Sequence, residues 1–139
     1  MRDGDAITAY LRLTELDQAA GDWPGVAKNA RRVLAVNPLV PTPHRKLAAA
    51  AERSGAADEA LAAYRAVALL DDTDPAGVHY QLAKLLRDAG KSQEARREVL
   101  RSLEEAPRFR EAHQLLLELV DQPSPANDLH AISPPRARQ

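Results

Sequence analysis

The sequence predicts an all-α chain, an α-solenoid of about seven helices in antiparallel pairs, and three observations lead there. Gly21, Gly55 and Gly90 stand 34 and 35 residues apart, and each precedes a fresh run of apolar residues at helical spacing. With these glycines in register, Tyr10, His44, His79 and His113 share one column and Leu13, Leu47, Leu82 and Leu116 another, so the period reaches the side chains as well as the turns. Alanine fills 27 of the 139 positions against one Phe, one Trp and three Tyr. Side chains so small and so favourable to helix let helices pass close together, and they argue against a sheet.

The elements follow in order. A first helix is expected over about 5–20, ended by Gly21, and a second over about 23–36, with Asp22 at its cap and Pro24 in its first turn. Pro41 and Pro43 open a third at 42–54, which Gly55 ends; Asp58 sits in the first turn of a fourth at 57–70, where the helix dipole favours a carboxylate. Pro75 opens a fifth at 76–89, closed by Gly90; Ser92 starts a sixth at 92–105, and a seventh runs over 109–120. Each glycine supplies the left-handed backbone that a side chain resists. A single pair cannot bury its own apolar stripe, so each pair must lean on the next. Ala48, Ala83 and Ala95 are small where neighbouring helices cross.

Further columns agree with that register. Thr14, Ala48, Ala83 and Leu117 align, as do Val26, Ala60 and Ala95, then Ala30, Tyr64 and Val99, then Val33, Val67 and Ser102; Pro38 and Pro107 close their units, with Asp72 at that place in the second. On these residues the chain resembles the tetratricopeptide repeat, a helix–turn–helix unit of about 34 residues, over residues 7 to about 120: three full units and one extra helix. It departs from the pattern where Tyr10 and three histidines replace a tryptophan, where Asp17, Ala51 and Leu86 replace a tyrosine, and at one inserted residue near 73–75. Residues 1–120 are thus expected to form one helical repeat domain, and 121–139, with four prolines, a flexible tail.

Several function classes are disfavoured. A net charge of −1 offers no field for nucleic acid or an anionic membrane. There is no cysteine for a disulfide, a thiolate metal site or a nucleophile. With no signal-peptide pattern at 1–13 and no run of about 18 apolar residues, the default location is cytoplasmic, and it is open if the chain is a piece of a longer protein. Histidines in stacked units are separated by the ~8–10 Å of packed helices, too far for one metal site, and are expected to pack with a satisfied ring nitrogen. The spaced aspartates of 71–77 suggest a calcium loop, but Pro75 and Ala83 spoil it, leaving turn and capping chemistry. No serine lies in a nucleophile pattern and no glycine-rich loop could cradle phosphate, so no catalytic residue, metal or cofactor is expected.

The resemblance implies that the first helices of successive units line a concave groove for a peptide or partner protein. By helical phase the groove takes Leu11, Arg12 and Glu15, then Arg45, Lys46, Ala49, Glu52 and Arg53, then Tyr80, Gln81, Lys84, Arg87 and Asp88. Its centre is mildly basic, suited to an acidic segment. The carboxylate clamp of chaperone-binding members is not expected, because its slots hold Leu11, Glu15, Lys46, Gly77 and Gln81. In the last helix, Leu115, Leu116, Leu117, Leu119 and Val120 wrap more than one face, which suggests self-association through Leu115, Leu116, Leu119 and Val120, or cover from Leu129 and Ile132 in the tail. The expected function is a non-catalytic protein-interaction module. The alternative is an accessory helical domain packed within a larger protein or enzyme, bacterial by its 15 Arg against four Lys.

Overall fold

The computed structural model describes residues 3–121, and among them there are seven α-helices and no strand. They are α1 (Asp3–Ala19), α2 (Trp23–Val36), α3 (Pro41–Ser54), α4 (Ala57–Leu70), α5 (Pro75–Asp88), α6 (Ser92–Glu105) and α7 (Arg110–Asp121). The boundaries fall within about two residues of those the glycines and prolines predict. The tail expected over 121–139 lies outside the described residues apart from Asp121, which ends α7.

Two kinds of turn alternate, and local chemistry explains both. Within each unit the first helix ends on a glycine at φ 74, 75 or 78°, at Gly21, Gly55 and Gly90. The next amide then reaches back five residues: Asp22 N–H to the Asp17 carbonyl, Ala56 to Ala51 and Lys91 to Leu86, each at 2.8 Å. This is the six-to-one closure that a left-handed residue permits. Between units the second helix ends without a left-handed residue, in extended backbone at Asn37 and Asp71 and at φ −139°, ψ 85° at Ala106. There Asn37 Oδ1 accepts from the Leu39 amide at 3.0 Å, and Asp71 Oδ1 accepts from the Thr73 amide at 2.9 Å.

The histidine column belongs to these inter-unit turns. His44 Nε2 donates to the Pro38 carbonyl at 2.8 Å, and His113 Nε2 donates to the Pro107 carbonyl at 2.7 Å. Each first helix thereby ties down the loop that delivers it. At the turn from the second unit to the third, Asp72 replaces the proline and one residue is inserted, and His79 turns instead to Glu98 of α6, Nδ1 to Oε1 at 2.7 Å.

Two starts share a further device. Asp22 caps α2 by accepting from the Gly25 amide, and Asp74 caps α5 by accepting from the Gly77 amide, both at 3.0 Å with proline in the first turn. A Cβ at Gly25 or Gly77 would collide with the capping carboxylate. Ser92 is the first residue of α6 and is buried, with Lys91 at the cap position.

The main packings join chain neighbours: α1 with α2, α3 with α4 and α5 with α6 as hairpins, and α2 on α3, α4 on α5 and α6 on α7 between units, with a lesser contact of α5 with α7. This side-by-side progression is the solenoid. Ala48, Ala60, Ala83 and Ala95 are all fully buried at the crossings. The core is lopsided. Its larger cluster gathers Leu61, Val67, Val78, Leu82, Leu86, Val99, Leu115 and Leu119 from α4 to α7, and the smaller holds only Val26, Ala27 and Ala50, with Trp23 and Leu47 beside them. Helix α1 adds a fully buried Thr14, its hydroxyl donated to the Tyr10 carbonyl at 2.7 Å, and the bond from Asn29 of α2 to Asp17, also 2.7 Å.

Candidate functional site

The basic residues of the predicted groove divide by the partners they hold. Arg45 is engaged: its Nε and Nη2 donate to Asp71 Oδ2 at 3.1 and 2.5 Å, joining α3 to the end of α4. Hydrogen bonds from the Thr73 hydroxyl, from Arg45 and from the Thr73 amide lower the Asp71 pKa to about 2. Arg87 is likewise held by carboxylates, Asp88 at 3.1 Å and Glu118 of α7 at 2.7 Å. These two guanidinium charges are spent within the chain.

Lys46 and Lys84 differ. Lys46 donates to the Gln18 side-chain oxygen of α1, and Lys84 Nζ lies 5.2 Å from the centroid of the Tyr80 ring, which itself packs at 5.0 Å on Phe109. An amide oxygen and a π face stabilise an ammonium group without cancelling its charge. Both lysines are half-buried, as are Tyr80 and Gln81, while Arg12 and Glu15 are exposed and Leu11 is half-buried. Glu52 accepts the Tyr64 hydroxyl, whose pKa is raised by burial and then by that carboxylate, so Tyr64 stays protonated. Arg53 stacks 4.8 Å over the Trp23 ring of α2.

A cavity of about 230 Å³ is lined by Arg45, Tyr64, Asp74, Gly77, Val78 and Gln81, and so joins two of the expected groove residues to the inter-unit turn. A second, of about 340 Å³, lies between α4 and α6 over α5, with Leu69, Leu82 and Leu86 beside Arg65, Arg101 and the His79–Glu98 pair. Sequence reasoning did not anticipate this cleft. Its signal is Leu69, 88% exposed on a helix whose other large apolar residues are covered.

Leu115 and Leu119 are 2% and 0% exposed, core residues against α5 and α6, and Leu116 is half-buried against the same cluster. Of the four residues expected to self-associate, these three thus face the chain's own core. Only Val120 of those four, together with Leu117, is at the surface, at 62% and 67% exposure. Among the described residues no group of three or more His, Asp or Glu could hold a metal ion, and no helix is long and apolar enough to cross a membrane.

Comparison with known proteins agrees with this architecture. The MamA protein superposes with a TM-score of 0.77 at 21% identity, over 85% of this chain and 64% of MamA. The second tetratricopeptide domain of human RPAP3, solved with the HSP70 peptide SGPTIEEVD, gives 0.73 at 15% identity over 87% of this chain and all of that domain. An O-GlcNAc transferase from Thermobaculum terrenum gives 0.66 at 25% identity, over 86% of this chain and 23% of the enzyme. The chain thus spans less than two thirds of MamA and under a quarter of the transferase. No curated protein matches it. The model of the bacterial transcriptional activator domain matches residues 3–75, just over half of the chain, in which lie the first two units and the turn into the third. With its tetratricopeptide-type solenoid, the chain belongs to the bacterial transcriptional activator domain family.

Proposed function

We propose that this chain is a non-catalytic protein-interaction module of a bacterial transcription activator, and that its first helices hold an acidic segment of a partner protein. The observation that carries this reading is the charge accounting along α3 and α5. Arg45 and Arg87 are matched by carboxylates, whereas Lys46 and Lys84 keep their charge beside Gln18 and Tyr80. An acidic side chain laid along these helices would gain charge-assisted hydrogen bonds from the lysines, with the Tyr80 ring as an apolar contact. Family membership supports a role in transcription, and the complex of RPAP3 with an acidic-ended peptide supports peptide binding as a use of this fold. The chaperone clamp is not carried over, since its slots here hold Leu11, Glu15, Lys46, Gly77 and Gln81.

The test is a titration with a fluorescein-labelled decapeptide rich in Asp and Glu and containing one Leu, at two salt concentrations. Lys46→Glu with Lys84→Glu should weaken binding at least about tenfold, which is about 1.4 kcal/mol, with an unchanged melting temperature. Affinity that is equal in the double variant, or indifferent to salt, refutes the groove.

A second reading has its own observation. Ala9, Leu13 and Leu16 of α1 are exposed, Leu13 at 42% and Leu16 at 61%, although they align with Pro43, Leu47 and Ala50 of α3 and with Val78, Leu82 and Leu85 of α5, which are buried or half-buried. In α3 and α5 this stripe packs on the preceding second helix. On α1 it is open to another part of a larger activator, so an accessory domain packed within one polypeptide accounts for it.

A further inference from the structure

Two clefts stand at corresponding steps of the stack, each between successive second helices and over the first helix that they flank. One, of about 260 Å³, lies between α2 and α4 over α3, with Trp23, Ala27, Ala50 and Ala51 among its walls. Arg31 and Glu59, which both line it, form an ion pair that braces α2 against α4 and matches both charges. The other is the cleft of about 340 Å³ between α4 and α6 over α5. In the repeat register Arg65 takes the place of Arg31, and Glu94 that of Glu59. The brace is not repeated. Among the described residues Arg65 has no ion pair or hydrogen bond, and it lines the second cleft while exposed to solvent.

The other charges of this cleft are accounted for. Glu98 accepts from His79 Nδ1 at 2.7 Å through one carboxylate oxygen and from Arg101 at 2.9 Å through the other. Glu98 thus offsets Arg101, and the charge of Arg65 is left over. Leu69 supplies an apolar counterpart. It stands where the other units have Ala35 and Glu104, so the stacking of the repeat does not call for a leucine there, yet it is 88% exposed at a cleft floored by the buried Leu82 and Leu86. Arg65 and Leu69 are four residues apart on α4, one turn, and so share a face.

A partner that neutralises Arg65 and covers Leu69 must present a carboxylate and a large apolar side chain at that same spacing. Adjacent turns of an acidic amphipathic helix do so. We propose that the cleft between α4 and α6 is a second docking site, for an acidic amphipathic helix of a partner protein, which lays a leucine-sized side chain against Leu69 over Leu82 and Leu86 and a carboxylate on Arg65. The guanidinium would then gain a charge-assisted hydrogen bond that the fold itself does not give it. The cleft shares no residue with the lysine groove on α3 and α5, so the two sites stand or fall separately.

The probe is a fluorescein-labelled, alanine-based helical peptide of about 18 residues, carrying one Leu with a Glu one turn to either side; a control peptide has Gln for both Glu. Each is titrated into the full chain and into its Lys46→Glu, Lys84→Glu variant, so that the fate of the lysine groove does not enter. Both proteins should bind the Glu peptide equally. Arg65→Glu and, separately, Leu69→Ser should each weaken it at least about tenfold with an unchanged melting temperature, because both side chains are exposed. No binding at about 1 mM peptide, equal affinity in Arg65→Glu, or a Gln peptide bound as tightly as the Glu peptide would each overturn the proposal. Loss confined to the lysine variant would overturn it by placing the peptide in the groove, and a dimer in light scattering that Arg65→Glu abolishes would do so by assigning the cleft to a second copy.

Discussion

Asp71 carries more than its place at a helix end suggests. It closes α4, accepts from the Thr73 amide and hydroxyl to shape the turn into α5, and receives two bonds from Arg45. Its folded pKa is lowered from 3.8 to about 2 by those bonds. Because the shift is downward, the stability it confers is complete above the unfolded value and is lost as pH falls through the folded one. Asp71→Asn should therefore be less stable than the parent at neutral pH, with the gap closing between about pH 4 and pH 2 as the parent loses its carboxylate. Urea midpoints for both proteins across that range measure it, and a gap independent of pH would mean that the Arg45 pair contributes nothing. The sequence showed Asp71 as one of several loop acids and Arg45 as a free groove cation. It could not reveal their meeting, because 26 residues separate them and neither residue type selects its partner.

At the scale of the element, one leucine column reports on what covers each first helix. Leu13 is 42% exposed, Leu47 and Leu116 are half-buried, and Leu82 is 3% exposed, although all four stand at the same turn of the repeat. Identical residues at identical phase thus differ in energy through their neighbours alone. Leu13→Asp should change stability by no more than about 0.5 kcal/mol. Leu82→Asp places an unpaired charge in the core and should cost more than about 4 kcal/mol. Thermal or urea melts of the two variants distinguish these outcomes, and a large loss from Leu13→Asp would show that α1 is covered in solution. The helices themselves were legible in the sequence to within about two residues, since glycine, proline and the capping acids act on the backbone beside them. The caps of α2 and α5 were both legible: Asp22 was anticipated at its place, and Asp74 lies in the 71–77 segment read as turn and capping chemistry.

In the whole molecule the stacking is uneven. The larger cluster binds α4 to α7, whereas α1 contributes to neither apolar cluster and is held to α2 by Thr14, the Asp17–Asn29 bond and the Arg32 guanidinium over Tyr10 at 5.4 Å. In a solenoid each unit is stabilised only by its neighbours, so a thin end opens by itself. Native-state hydrogen exchange should find α1 least protected and α5 and α6 exchanging only with global unfolding. Uniform protection from α1 to α6 would mean that the smaller cluster is as strong as the larger.

What the sequence determined by itself was the period, the helices, their turns and the stacking of pairs, because each of these rests on interactions between residues close in the chain or repeated at constant spacing. What only the tertiary structure decided was the state of each charge and each apolar stripe: Arg45 and Arg87 matched by acids, Lys46 and Lys84 left charged, Leu115 and Leu119 taken into the core, Leu13 and Leu117 left outside. Helical phase gives the direction in which a side chain leaves its helix. Which group waits there depends on a neighbouring helix placed by the packing of the units, and no local pattern encodes that meeting.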